Sequence, residues 1–315
     1  VTDKLRVLVS SEADDRVGRE MLAATAGVEV VPYDPTSSEL TPEQARADVL
    51  IPPYRGSHRP IGLLRQLSAL RLVQLLTAGT DEWAPHVPAG IPVSNAGDAH
   101  AGPVSEWILS AILTQLRQWP SLVRFQDEHV WAHRKFNADT LADSRVLIVG
   151  AGNIGKATAA KLAPFGAHVT LVGRTARDGV HATSELADLL PGHRVVVVVV
   201  VVTPLTEATK GLVDRDFLAR MDSGALLVNA GRGQVVDTNA LLVELQHGRL
   251  TAALDVTDPE PLPADHPLWE QPGVIISPHS ARTVPGTNAL CYSVATARIT
   301  AFALSHLSPL SPDTL

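Results

Sequence analysis

Val146-Leu147-Ile148-Val149 runs without a break into Gly150-Ala151-Gly152-Asn153-Ile154-Gly155, and the helix-forming segment Lys156 to Leu162 follows. A lone G-x-G-x-x-G is a weak signal, because glycines also serve ordinary turns. Here an apolar run precedes it and a helical segment follows, the strand–turn–helix context that gives the pattern meaning. Gly150 permits the tight turn, Gly152 lets a pyrophosphate approach the backbone, and Gly155 lets the helix lie close on the strand. The anion would sit at the N-terminus of the following helix, and Asn153 and Ile154 within the run are cofactor-binding candidates with the glycines. The stretch predicts a dinucleotide at the carboxyl end of a parallel strand.

The same alternation extends in both directions. Strands are predicted at Leu5–Val9, Val28–Val31, Val49–Ile51, Arg71–Leu76 and Ile91–Ser94, with a helix over Arg16–Ala24. Beyond the glycine run, further strands fall at Val169–Val172, Ala225–Val228, Ala252–Leu254 and Val274–Ile276. Eight consecutive valines, Val195 to Val202, are far short of the roughly 18 apolar residues that cross a membrane. They read as a strand buried on both faces, as in parallel sheets. Pro103 to Trp119 carries a helix-starting proline and an apolar stripe through Ile108, Ala111, Ile112 and Leu116. The segment from Thr287 is Ala-rich and helical. The outline is a lobe over residues 1–100, an α/β domain over 101–284, and a C-terminal stretch, 285–315, that returns to the first lobe.

The chain has 315 residues, about two domains' worth, with 45% hydrophobic and 19% charged residues, which excludes a mainly disordered polymer. Twenty-six Lys and Arg against 33 Asp and Glu give a net charge of −7. No basic face is evident, so nucleic-acid binding is not expected. The single cysteine, Cys291, and the charged start Val1-Thr2-Asp3-Lys4 point to a reducing cytoplasm rather than export or a membrane. His129 and His133 are four apart but lack the HExxH order, and no metal is expected.

The strand Val169–Val172 ends where a dinucleotide's adenosine ribose would lie. A carboxylate there accepts from a 2′-hydroxyl. This chain instead has Gly173-Arg174-Thr175 with Arg177 just beyond. Two guanidiniums and a hydroxyl favour a 2′-phosphate, hence NADP(H), with NAD(H) second. Three more strand ends carry unusual groups: Asn229-Ala230-Gly231-Arg232-Gly233, Asp255-Val256-Thr257-Asp258-Pro259-Glu260-Pro261, and Ser277-Pro278-His279-Ser280. Ligands of open α/β sheets bind at the carboxyl ends of strands, so Arg232, Glu260 and His279 are candidates to converge.

These segments, with the glycine run and Thr203-Pro204-Leu205-Thr206, resemble the D-isomer-specific 2-hydroxyacid dehydrogenases. Ala78-Gly79-Thr80-Asp81 and Gly90-Ile91-Pro92-Val93-Ser94-Asn95 extend the likeness to the N-terminal lobe. The resemblance implies an α/β protein of two lobes, a Rossmann-type dinucleotide domain and a flavodoxin-like substrate domain. It also implies hydride transfer between NADP(H) and a small 2-oxo or D-2-hydroxy acid. Arg232 would clamp the carboxylate and polarise the carbonyl, His279 would be the general acid and base, and Glu260 would pair with His279 and favour its protonated form. Formate dehydrogenases typically carry glutamine at the matching position, so Glu260 argues against formate. Asp255 would meet the nicotinamide carboxamide, and Thr203, Pro204 and Ala230 would line the cofactor. Amides near Ala78 and Gly79 would bind the substrate carboxylate, with Tyr54 and Arg55 facing the reacting carbon. His100 stands where many relatives have asparagine; with Arg55 it would suit an acidic or phosphorylated substrate. Trp119 and Trp131 flank a region that in relatives lies near a dimer contact, so a homodimer is expected. The alternatives are an NAD-linked phosphoglycerate-type dehydrogenase and a non-catalytic dinucleotide-sensing protein.

Overall fold

The computed structural model describes residues 4–54, 59–133, 137–199 and 209–307, with side chains to residue 304. Elements of the first stretch are β1 (Leu5–Ser10), α1 (Arg16–Ala23), β2 (Val28–Tyr33), β3 (Val49–Ile51), β4 (Leu72–Gln74) and β5 (Val93–Ser94). The middle contains α2 (Ala101–Leu116), α3 (Trp119–Asp127), β6 (Arg145–Val149), α4 (Asn153–Leu162), β7 (His168–Gly173), β8 (His181–Ala182), α5 (Leu186–Leu189) and β9 (Val195–Val198). Then follow α6 (Arg215–Arg220), β10 (Leu226–Asn229), α7 (Thr238–Gln246), β11 (Thr251–Leu254), β12 (Val274–Ile276) and α8 (Thr287–Leu307). The chain divides into two compact units, Val1–His100 with Pro285–Leu315, and Ala101–Val284.

In the first unit five parallel strands lie in the order β2-β1-β3-β4-β5, the flavodoxin-like order. The last helix, α8, packs on α1. A Cβ on Gly18 would fall 2.1 Å from a ring carbon of Tyr292, so the absence of a side chain there lets the two helices close. The Tyr292 hydroxyl donates to Asp15 Oδ1 at 2.8 Å, and Asn288 Nδ2 donates to the Asp14 carbonyl at 2.9 Å. Burial raises the Asp15 pKa above the ordinary carboxylate value, against the hydrogen bonds from Tyr292, Ser10 and the Tyr54 amide.

The second unit is a seven-stranded sheet, β12-β11-β10-β9-β6-β7-β8, whose strands are all parallel. Its order reverses between β6 and β9, the switch point at which Rossmann sheets open a crevice. Alternate residues of the central strands enter two separate cores. Leu147, Val149, Val196, Val198 and Leu227 pack with Phe217, Leu218 and Leu241 of α6 and α7. Val146, Ile148, Val195, Val197 and Val228 pack with Ile108 and Ile112 of α2 and Leu162 of α4. Both faces are covered, which is why this strand tolerates valine at every position rather than at alternate ones.

Some boundaries differ from expectation. The predicted helix to Trp119 is two helices: α2 stops at Leu116, Gln118 takes φ +55°, and Trp119-Pro120 starts α3. Proline lacks the amide needed to continue a helix but fits its first turn. Among the described residues of the valine run, Val195–Val198 form strand and Val199 does not; Val200–Val202 lie outside the described residues. No helix among the described residues is long and apolar enough to cross a membrane.

Candidate active site

The glycine loop joins β6 to α4 as its composition requires. Gly150 has φ +123°, a region that residues with a Cβ rarely adopt. A Cβ on Gly155 would lie 2.0 Å from the Gly150 carbonyl oxygen, so this residue sets the close approach of helix to loop. Gly152 is different: a Cβ there would meet nothing within 4 Å. Gly152 is also the N-cap of α4, which has no side-chain cap. The uncapped first-turn amides and the open space over Gly152 fit an anionic pyrophosphate. A methyl group in that space would compete with the ligand rather than with the fold.

At the end of β7 the two expected arginines part company. Arg174 and Thr175 are exposed, and Arg174 forms no ion pair among the described residues. Arg177 closes a tight turn by bridging to Val180, and its Nη2 donates to the Ala151 carbonyl in the glycine loop at 3.0 Å. Its guanidinium lies against the space a Cβ on Gly173 would occupy, 3.0 Å from Nη1. Arg174 is thus free to meet a ligand, whereas Arg177 is engaged with the loop backbone. Thr203 and Pro204 lie outside the described residues, and Ala230 is buried at the end of β10.

Arg232, Glu260 and His279 follow β10, β11 and β12, three adjacent strands of one sheet. Backbone contact and a few side chains hold their loops. Asn229, 1% exposed, accepts from the Gly231 amide at 3.1 Å and donates to the Arg232 carbonyl at 3.0 Å. A Cβ on Gly233 would fall 1.8 Å from the Thr257 carbonyl oxygen, so this glycine lets the Arg232 loop press on the loop that leads to Glu260. Thr238 Oγ1 donates to the Asp258 carbonyl at 2.8 Å across the same seam.

Asp255 secures the third loop. Its carboxylate, 3% exposed, accepts from Ser277 Oγ at 2.6 Å and from the amides of Ser280 and Ala281 at 2.8 and 3.1 Å. The His279 amide donates to the Asp255 carbonyl at 2.7 Å and to that of Ser277 at 3.0 Å, which sustains the unusual φ of +50° at this histidine. Asp255, expected to meet the nicotinamide, has its carboxylate committed to the loop that bears His279. Sequence reading passed over Asn229, Gly233 and Ser277 as positioning residues. An asparagine two residues before glycine is a known turn signal and could have exposed the first.

His279 Nδ1 lies 2.7 Å from Glu260 Oε1, with side chains 40% and 39% exposed. A carboxylate only accepts, so Nδ1 carries the hydrogen and Nε2 is left for a ligand. The hydrogen bond from His279, then its charge and that of Arg232, hold the Glu260 carboxyl below its ordinary value against the opposing effect of burial. Glu260 is therefore an anion at neutral pH.

In the first unit, Tyr54 is 5% exposed and its amide donates to Asp15 Oδ1 at 3.0 Å. Arg55 lies outside the described residues. Asn95 Nδ2 donates to the Ala78 carbonyl at 3.0 Å and Thr77 Oγ1 to the Gly79 carbonyl at 2.7 Å. The amides of Ala78 and Gly79 themselves have no acceptor among the described residues. His100 is 3% exposed with Nε2 3.1 Å from Cys291 Sγ.

A parallel sheet with a switch point, a phosphate-ready glycine loop and a His–Glu pair at neighbouring strand ends define a dinucleotide-dependent oxidoreductase. The family model for the NAD-binding domain of D-isomer specific 2-hydroxyacid dehydrogenases matches residues 109–281, and the chain belongs to that family of NAD(P)-dependent enzymes. It is 33% identical over 282 residues to the human glyoxylate reductase/hydroxypyruvate reductase, covering 83% of this chain and 84% of that one. A D-isomer specific 2-hydroxyacid dehydrogenase from Xanthobacter autotrophicus Py2, solved with NADPH and MES, superposes with a TM-score of 0.79 at 28% identity. That match covers 94% of this chain and 95% of the other. An NADPH-dependent glyoxylate/hydroxypyruvate reductase from Sinorhizobium meliloti, solved with NADP and sulfate, gives 0.78 at 26% identity over 96% of each chain.

Proposed function

We propose that this protein is an NADP(H)-preferring reductase of small 2-oxo acids, reversible as a D-2-hydroxyacid dehydrogenase. The observation that carries the reading is the His279–Glu260 pair at 2.7 Å, beside an Arg232 loop held by backbone contact. Gly150, Gly152, Asn153, Ile154 and Gly155 hold the pyrophosphate, and Arg174 with Thr175 meets the 2′-phosphate. Bound in this way, the reduced nicotinamide supplies a hydride.

The chain's own groups handle charge and the proton. Arg232 binds the substrate carboxylate and stabilises negative charge on the carbonyl oxygen, since a guanidinium stays protonated and offers a planar fork of donors. His279, oriented through Nδ1 by Glu260, delivers the proton from Nε2 to that oxygen; in the oxidative direction it removes it. The amides of Ala78 and Gly79, which have no acceptor among the described residues, bind the substrate carboxylate in the first unit. NADP preference is supported by the exposed Arg174, which forms no ion pair among the described residues, by the lack of a carboxylate at the end of β7, and by the NADPH and NADP of the solved relatives. The protein acts in the cytoplasm as a homodimer, a reading supported by the exposed Trp119 and Trp131, at 56% and 91%.

NADPH oxidation with glyoxylate, hydroxypyruvate and branched 2-oxo acids tests the assignment. His279→Ala and Arg232→Ala should each lower kcat/KM by about 100-fold or more while NADPH binding, followed by fluorescence, persists. Near-normal turnover in either variant would refute it.

A further inference from the structure

We infer that Asn95 is a positioning residue that aims the carboxylate-binding amides of the first unit, with Arg298 of α8 as its support. The inference rests on the proposed anchoring of substrate by Ala78 and Gly79. A peptide unit is planar, so fixing the direction of its C=O fixes the N–H on the opposite side of the same plane. The Gly79 amide shares its plane with the Ala78 carbonyl, which accepts from Asn95 Nδ2 at 3.0 Å. The Ala78 amide shares its plane with the Thr77 carbonyl, which accepts from the Ala96 amide at 2.9 Å. Two neighbouring residues, 95 and 96, therefore set both anchor groups, although they bear neither.

Asn95 is itself immobilised. Its Oδ1 accepts from the Gly97 amide at 3.0 Å, which with the Ala78 carbonyl admits only one orientation of the side-chain amide. Its backbone carbonyl accepts from Gln74 Nε2 at 3.0 Å, and Gln74 is fully buried. From α8, Arg298 Nη1 donates to the Asn95 carbonyl at 2.7 Å and to Ser94 Oγ at 2.6 Å, with a longer contact to Asn95 Oδ1 at 3.3 Å. Gly97, at φ +58°, leaves room for that guanidinium, since a Cβ would lie 3.2 Å from Nη2. A helix from the end of the chain thus reaches the turn that follows β4 through one asparagine.

Asn95→Ala removes both functions of the side chain. Asn95→Asp keeps an acceptor for Gly97 and Arg298 but loses the donor to Ala78, so it separates aiming from folding. Both variants should raise KM for glyoxylate and the inhibition constant of oxalate, a carboxylate probe, by about tenfold, with kcat within about threefold of wild type. The dissociation constant for NADPH should not move. Arg298→Met should shift KM in the same direction by about threefold, and it serves as the reading if neither Asn95 variant folds. Unchanged KM and oxalate inhibition in folded Asn95→Asp, or in Arg298→Met when that is the surviving variant, overturn the inference. Failure of the wild type to reduce glyoxylate or bind oxalate instead overturns the proposed function itself, and the inference with it.

Discussion

Gly233→Ala perturbs the seam on which the proposed catalytic groups are assembled. The added Cβ would lie 1.8 Å from the Thr257 carbonyl oxygen, 2.2 Å from its carbon and 2.8 Å from the Asp258 amide nitrogen. All three are backbone atoms, so no rotamer change relieves the overlap. Reaching even a 3.0 Å contact requires the two loops to part by more than an ångström. One of these loops carries Arg232 and the other leads within three residues to Glu260. Overpacking of this kind costs about 1–3 kcal/mol. In a unit of this size that lowers Tm by roughly 2–12 °C. An ångström of misplacement in catalytic groups costs on the order of 100-fold in rate. Steady-state kinetics with glyoxylate and NADPH should show kcat down by about that factor, while thermal unfolding falls modestly and NADPH titration is little changed. A variant with wild-type kcat and Tm would show that the loops do not depend on this contact, and the account of how the site is built would fail.

Two further outcomes follow from other parts of the second unit. Arg174→Asp should reverse the dinucleotide preference, lowering kcat/KM for NADPH by about 10- to 100-fold relative to NADH through loss of a charge-assisted phosphate contact; an unchanged ratio would remove Arg174 from the 2′-phosphate site. His193 is fully buried, with Nε2 3.2 Å from Thr170 Oγ1. Burial first, then the charge of Arg145, holds its pKa below the ordinary 6.5. The unfolded chain therefore takes up this proton before the folded one, so stability is lost as pH falls below 6.5 toward the folded value. Tm measured from pH 8 down to pH 5 should fall less steeply in His193→Gln; equal slopes would exclude His193 as a source of acid sensitivity.

Much of the dinucleotide-binding unit was legible in the sequence because its signals are local. A strand, a glycine run and a helix occupy consecutive residues from Val146 to Leu162, and the valine run announces a strand covered on both faces. The candidate groups Arg232, Glu260 and His279 could be picked out because each follows a strand, and parallel strands deliver their carboxyl ends to one side. The contacts that Arg177 and His100 make within the protein were not legible in this way. An arginine three residues beyond Arg174 looks the same in sequence whether or not it also donates to a distant backbone carbonyl, as Arg177 does to Ala151. His100 meets Cys291 across 191 residues, a pairing without a sequence pattern. The break between α2 and α3 could have been read from Trp119-Pro120, yet the apolar stripe dominated.

Local chemistry thus specified the element types, the phosphate loop and the residues able to handle charge and protons, because periodicity, backbone freedom and side-chain acidity are properties of neighbouring residues. The contacts that hold their loops join distant segments and appear only in the tertiary structure: Gly233 on Thr257, the Asp255 carboxylate on the His279 loop, and Arg298 on Asn95. The positions of backbone atoms across such contacts follow from packing of whole elements, and packing depends on the complete set of residues that fill a core rather than on any short run of them.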